Sequence, residues 1–204
     1  MNSRFSSKVF NQVVEYFSSI AGIGQKTAIR LVLDLAKKDR KFLLGFSQAL
    51  HQLATELQYC KQCHAIAQTD CCDICANPAR DASIICVVED MRDLLALENT
   101  LQYQGLYHVL GGVIDPLRGV HPTQLHIESL ITRIHTQPVR EVILALRADV
   151  RGETTNFYLY RQLMGWEGKL TAIARGIGVA DELQYLDEAT LAKSLQYRTP
   201  LIFE

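Results

Sequence analysis

Apolar residues recur every three to four positions through Val9, Phe10, Val13, Val14 and Phe17, and again through Ala28, Leu31, Val32 and Leu35 after a break that contains two glycines. That period predicts two amphipathic helices. A third run through Phe42, Phe46, Leu50, Leu53 and Leu57 predicts another, with KKDRK at 37–41 as a solvated connection. Up to Tyr59 the chain therefore reads as a small helical domain. From Ser83 the pattern changes. IICVVE (84–89), GLYHVL (105–110), REVILALRA (140–148) and KLTAIA (169–174) are short apolar runs of strand character. Between and after them MRDLLALENTL (91–101), LHIESLITRI (125–134), TTNFYLYRQL (154–163) and DEATLAKSL (187–195) carry helical spacing. Strands alternating with helices predict a mostly parallel sheet with covered faces. GGVIDPLRGVHP (111–122), rich in Gly and Pro, reads as a long surface loop.

The break between the first two helices is AGIGQKTA at 21–28. A phosphate-cradling nucleotide loop needs G-x-x-x-x-G-K-[ST]. Here Gln25 separates Gly24 from Lys26 and no glycine stands five residues before Gly24, so the pattern fails and ATP use has no support. A tight Gly22-Ile23-Gly24 turn followed by a helix from Gln25 fits better. Glycine permits the turn, the amides at the helix start are free to meet an anion, and Lys26 and Arg30, four residues apart, share a face. That is a helix-hairpin-helix, a device that grips a DNA backbone without reading bases; the plainer alternative is an ordinary helical corner pegged by Ile23. Charge favours the first. The net charge is −1, yet the first 59 residues hold Arg4, Lys8, Lys26, Arg30, Lys37, Lys38, Arg40 and Lys41 against only Glu15, Asp34, Asp39 and Glu56.

No apolar run resembles a signal peptide or a membrane span, so a reducing cytoplasm is the expected setting for six cysteines. CKQCHAIAQTDCCDIC at 60–75 contains C-x2-C-x8-C-x2-C if Cys60, Cys63, Cys72 and Cys75 are taken. Two such knuckles close tetrahedrally on zinc, and four sulfurs leave no open position, which makes the site structural. Cys71 competes with Cys72 on spacing, though only Cys72 forms a C-x2-C knuckle with Cys75. His64 is a substitute ligand, disulfides are the bland alternative, and Cys86 reads as a small core residue.

Glu89 and Asp90 end the first strand of the sheet, and Asp149, with Glu153 behind it, follows the third. Carboxylates at two strand ends can meet around magnesium. Arg147 and Arg151 flank Asp149, however, and their charge offsets a second metal ligand. Two readings of Glu89 follow: a divalent-ion ligand or a protein-docking residue. Arg151 pairing with Glu89 or Asp90 is the plain alternative, Asp115 and Arg118 read as turn residues, and His121 as a loop residue. No G-x-S-x-G organises a nucleophile.

Taken in order, GIGQKTAIRL, the Cys60 to Cys75 cluster with NPARD, ICVVEDMRDLLALE, GLYHVLGGVIDPLRGVHP, RGETTNFYL and IARGIGVADELQYLDEATLAKSL resemble the bacterial RecR family of recombination-repair proteins over nearly the whole chain. The resemblance implies a Toprim domain, whose enzymes carry a glutamate after the first strand and then D-x-D-x-x-G. Here Glu89 is followed by Arg147-x-Asp149-x-x-Gly152, so a base stands at the first aspartate position. Family members commonly have asparagine where Arg147 stands and glutamate where Arg151 stands, which bears on docking of the partner RecO. The resemblance further implies a homo-tetramer or homo-dimer, assembled through N-terminal helical and C-terminal parts. It implies action with RecO and RecF to place recombinase on single-stranded DNA at gaps.

The expected architecture is α+β and multidomain: helices with the hairpin (1–59), a zinc knuckle (60–82), the Toprim domain (83–178) and a C-terminal helix and tail (179–204). The expected function is a non-catalytic DNA-binding mediator, with Gly22, Gly24, Lys26 and Arg30 at phosphates, cytoplasmic and nucleoid-associated, without membrane contact. Two alternatives are a nuclease using magnesium at Glu89, Asp149 and Glu153, and a zinc-stabilised adaptor that binds proteins only. The segment YRTPLIF (197–203) is expected to pack on a neighbouring subunit or to close the core.

Overall fold

The computed structural model describes residues 6–174, 176–178 and 181–197. They form two compact units that divide after Leu57.

In the first unit α1 (Lys8–Ser18) starts where the Ser7 hydroxyl accepts the Phe10 amide at 3.2 Å, satisfying a donor that the first helical turn leaves free. After the glycine turn α2 (Gln25–Ala36) lays Ala28 and Val32 against Val14 of α1, with Phe10, Val13, Phe17, Ile23 and Ile29 around them. The periodicity of the sequence is thus the packing face. Asp39 caps α3 (Arg40–Glu56), accepting the Phe42 amide at 2.7 Å. Here burial departs from pattern, for α3 buries no residue, and Phe42, Leu44, Phe46, Leu50 and Leu53 stay exposed. The amphipathic stripe has no partner among the described residues.

The second unit begins with a ribbon of β1 (Gln58–Tyr59) and β2 (Ile66–Ala67), antiparallel, and the one-turn α4 (Asp73–Ala76). The sheet comprises β3 (Asp81–Val88), β4 (Gly105–Val109), β5 (Glu141–Ala145) and β6 (Lys169–Ala172), in the order β4-β3-β5-β6 and parallel throughout. Helices α5 (Met91–Glu98), α6 (Ile127–Thr136), α7 (Val150–Gln162) and α8 (Glu188–Gln196) follow the strands in turn. Central strand β3 serves two cores. Ile85 and Val87 pack with Leu130 and Ile134 of α6 and Leu159 of α7, while Cys86 and Val88 pack with Leu94 of α5 and the buried Cys60, Cys63 and Cys72. This is the period-two alternation of a strand buried on both faces.

Two expectations need correction. Residues 111–122 are not simply a surface loop, because Val113, Ile114 and Asp115 are buried and the Ile114 amide donates to Thr155 Oγ1 at 2.9 Å. Helix α7 starts at Val150 rather than near Thr154. A glycine in the first turn hides that start in the sequence. The segment 198–204, which holds most of YRTPLIF, lies outside the described residues. Among those described, no helix is long and apolar enough to cross a membrane.

Candidate nucleic-acid interface and metal centres

The hairpin turn is built by backbone geometry. Gly22 has φ +84°, a region that a Cβ strongly disfavours, and the Ile23 amide closes the turn on the Ile20 carbonyl at 3.0 Å. Gly24 is the N-cap of α2 and offers no side chain to its amides. Unlike α1 and α3, this helix start therefore leaves first-turn amides available to an outside acceptor. Lys26 and Arg30 are exposed on the same helix, and among the described residues neither is held in an ion pair. Ile23 is half-buried against the α1–α2 core, the peg expected of it. Uncapped amides, a lysine and an arginine thus share the start of one helix, with no ion pair to either cation among the described residues.

The cysteine cluster is assembled by two backbone knuckles. In the first, the His64 amide returns to the Cys60 carbonyl at 2.9 Å, with His64 at φ +60°, and in the second the Cys75 amide donates to Cys72 Sγ at 3.4 Å. The sulfurs of Cys60, Cys63, Cys72 and Cys75 all lie within 4.8 Å of one another, and Cys63 and Cys72 are 3.5 Å apart. Tetrahedral zinc with bonds of ~2.3 Å separates its sulfurs by roughly 3.8 Å, so the donor set fits the ion. All six cysteines are free thiols, which removes the disulfide reading. Cys71 turns its sulfur toward the Cys72 carbonyl, and His64 bonds Ser129 Oγ at 2.8 Å and stacks on His126 at 3.8 Å. Neither is a ligand. Electrostatics supply a reason for a cation: burial works to raise Cys60, but the backbone at Cys72, Cys63 and Gln62 brings it to about 6, while Cys63, bonded to the Cys75 sulfur and buried, is pushed up. Burial also holds Cys72 up at about 11. Cys60 is thus the readier thiolate, and a metal ion would favour deprotonation of Cys63 and Cys72.

The knuckle is locked to the sheet. The Val109 amide donates to the Cys63 carbonyl at 2.8 Å, and buried Arg133 of α6 donates to the Tyr107 carbonyl at 2.9 Å and the Gln62 carbonyl at 3.5 Å. His108 lies wholly buried beside His64, and burial drives its pKa down to about 3. Sequence reasoning passed over Arg133 and His108. A charged residue on the apolar stripe of α6 and a histidine inside a strand were the signals.

At the carboxyl ends of the strands, the predicted acids divide into two groups. Arg147 brings Glu89 and Asp149 together: its Nε donates to Glu89 Oε2 at 2.8 Å and its Nη1 to Asp149 Oδ2 at 3.4 Å. Asp149 is the N-cap of α7, its Oδ1 accepting the amides of Arg151 and Gly152, both at 3.0 Å. Arg151 donates to Asp149 Oδ2 at 2.8 Å and reaches Asp115 Oδ2 at 3.5 Å, and Arg118 lies 3.7 Å from that same oxygen. The result is a ladder of alternating charge: Glu89, Arg147, Asp149, Arg151, Asp115, Arg118. The Gly152 amide, then the Arg151 guanidinium, hold the Asp149 carboxyl below its usual range. Gly152 cannot be otherwise, since a Cβ there would stand 1.9 Å from the Arg147 carbonyl oxygen. Asp90 stays apart, capping α5 and bonded to Arg92, which lowers its pKa. Glu153 is exposed in the first turn of α7. The pairing of Arg151 with Glu89 or Asp90 considered from sequence is not found, because Arg147 takes Glu89 and Arg92 takes Asp90. Asp115, read as a turn residue, does cap its turn, and it is also a buried rung of the ladder.

Comparison with known proteins agrees with these parts. Residues 83–174 match the Toprim domain model, and residues 57–77 match the model of the RecR four-cysteine zinc finger domain. The chain is 52% identical over 199 residues to the Recombination protein RecR of Bacteroides thetaiotaomicron and 51% identical over 199 residues to that of Phocaeicola vulgatus, in each case across 98% of this chain and 97% of the relative. It is 48% identical over 196 residues to the Recombination protein RecR of Flavobacterium johnsoniae, covering 96% of this chain and 95% of the relative. The four cysteines are accordingly a structural zinc site. With the knuckle, the parallel sheet and near full-length identity in agreement, the chain belongs to the RecR family of recombination proteins.

Proposed function

We propose that the protein is a non-catalytic, DNA-binding recombination mediator that acts with RecO, and with RecF where present, to promote recombinase loading at single-stranded gaps. The observation that carries this reading is the hairpin: an uncapped helix start after the Gly22 turn, with Lys26 and Arg30 exposed and unneutralised beside it. Gly22 and Gly24 let a phosphate approach the backbone, and the two cations hold it. Such contacts fix position on DNA and carry no sequence information. One hairpin neutralises few phosphates, so working affinity comes from several copies on one DNA. The apolar row Phe42, Phe46, Leu50 and Leu53 on α3 supports a homo-dimer or homo-tetramer, since exposed stripes of this kind mark interfaces.

In this reading the segments 1–59, 60–82, 83–178 and 179–204 act as clamp, zinc staple, docking unit and assembly tail. Glu89, Asp90, Asp149 and Glu153 lie on the docking face for RecO, and the protein works in the cytoplasm at the nucleoid. Fluorescence anisotropy with gapped duplex DNA across a salt series tests the clamp. Affinity is expected to fall steeply with salt, and Lys26→Ala/Arg30→Ala should flatten the log–log slope by about 2 units per chain engaged. An unchanged slope in that variant would remove the hairpin from the mechanism. Absence of any salt-sensitive binding would leave a protein-binding adaptor.

A further inference from the structure

A Toprim sheet implies a divalent cation between its strand-end carboxylates, and the residues here do not fit one. Mg2+ demands near-octahedral oxygen donors at ~2.0–2.1 Å. Asp149 has one oxygen filled by two amides and the other by the guanidinium of Arg151, with Arg147 beside it, and Glu89 gives an oxygen to Arg147 at 2.8 Å. Asp115, the third acid of the ladder, is held by Arg151 and Arg118. Each carboxylate therefore already meets fixed positive charge supplied by the chain.

We infer that Arg147 occupies the place of the divalent cation, bridging Glu89 at the end of β3 to Asp149 at the start of α7, with Arg151 closing the outer side. A bound cation bridges two carboxylates and cancels their repulsion, and the Arg147 guanidinium does both, reaching one with Nε and the other with Nη1. Three acids against three arginines leave the ladder itself neutral. An arginine cannot lose its proton to vacate the position. The strand-end face is thus set independently of magnesium, and its geometry holds at any divalent-ion concentration. The inference stands apart from DNA binding by the hairpin, which lies in the other compact unit.

The test measures Mn2+ binding by electron paramagnetic resonance on the zinc-loaded full-length protein, with no DNA present. The variants are Glu89→Gln alone, Arg147→Gln/Arg151→Gln, the charge-retaining Arg147→Lys/Arg151→Lys, and the Gln pair combined with Glu89→Gln. Circular dichroism and zinc content report folding of each. The parent and the Lys pair should bind no Mn2+ at millimolar concentration. The Gln pair should gain one site with Kd on the order of 10⁻⁴–10⁻³ M, and Glu89→Gln should abolish it. Mn2+ binding by the parent that Glu89→Gln removes would overturn the inference. A folded Gln pair that binds no more Mn2+ than the parent would overturn it equally, since the arginines would then not be what closes the face. If the Gln pair does not fold, Arg147→Gln alone carries the same two outcomes.

Discussion

Two clusters in this chain have the ligand types of a metal centre, and they differ in what surrounds them. The four sulfurs of the knuckle lie within 4.8 Å of one another, three of them on buried residues, with no basic side chain among the ligands, so the positive charge that would balance their thiolates has to come from a cation. The carboxylates Glu89 and Asp149 have arginines bonded to them directly. Ligand identity alone does not make a metal site. The balance of charge supplied by the rest of the chain decides whether a cation is needed.

Removing a ligand at each cluster separates them most sharply. Cys63→Ala should lose zinc and with it the packing of the knuckle on Cys86, Val88 and Tyr107. Structural zinc supplies on the order of 10 kcal/mol of apparent binding energy in isolated zinc-finger peptides, so the melting transition of the second unit should collapse. Glu89→Gln should retain one zinc per chain and melt close to the parent; zinc content with differential scanning calorimetry checks both.

Acid comes next. Thiolates reprotonate as pH falls and release zinc, and His108 acts in the same direction. Its folded pKa of about 3 lies below the ordinary value of 6.5, so between these values the unfolded chain binds more protons and stability falls as pH drops. Urea unfolding at pH 7 and pH 5 should show the loss, and His108→Gln should make the profile shallower. A profile unchanged by His108→Gln would mean that the knuckle alone sets acid sensitivity.

A smaller effect is expected where backbone and ladder meet. Gly152→Ala forces a Cβ against the Arg147 carbonyl and should cost about 1–3 kcal/mol by chemical denaturation. Least of all, Arg147→Ala should change stability by no more than about 1 kcal/mol, because its pairs are partly solvated and the arginine side chain is 38% exposed. A large loss there would show that the ladder holds the fold together, and would make the two clusters more alike than the charges suggest.

Much of this was legible in the residues. The glycine hairpin, the four ligands and the four strands follow from local rules of turn chemistry, knuckle spacing and periodicity, each confined to a few neighbouring positions. What escaped depends on residues far apart in the chain. Arg147 finds Glu89 across 58 positions, and nothing local chooses between it and Arg151 as the partner. Asp115 joins the ladder where Val113, Ile114 and Asp115 turn inward, the Ile114 amide bonding Thr155. The start of α7 was masked by Gly152, which reads as a break yet is required by the close approach of Arg147. Helix α3 shows the converse: its stripe was read correctly as amphipathic, and burial did not follow, because periodicity specifies a face and not its partner.

On the proposed function, with DNA held through the hairpin and no divalent ion at the strand-end carboxylates, magnesium should act only as a competing counterion of the DNA. The decisive experiment incubates end-labelled gapped duplex with the zinc-loaded protein with and without added magnesium, in monovalent salt and without chelator, reading affinity by anisotropy and strand integrity on a denaturing gel. Full-length strands in both are expected, with affinity in magnesium lowered by its competition for the DNA phosphates, and lowered equally in Glu89→Gln. Shortened strands in magnesium, lost in Glu89→Gln, would contradict this reading of the molecule.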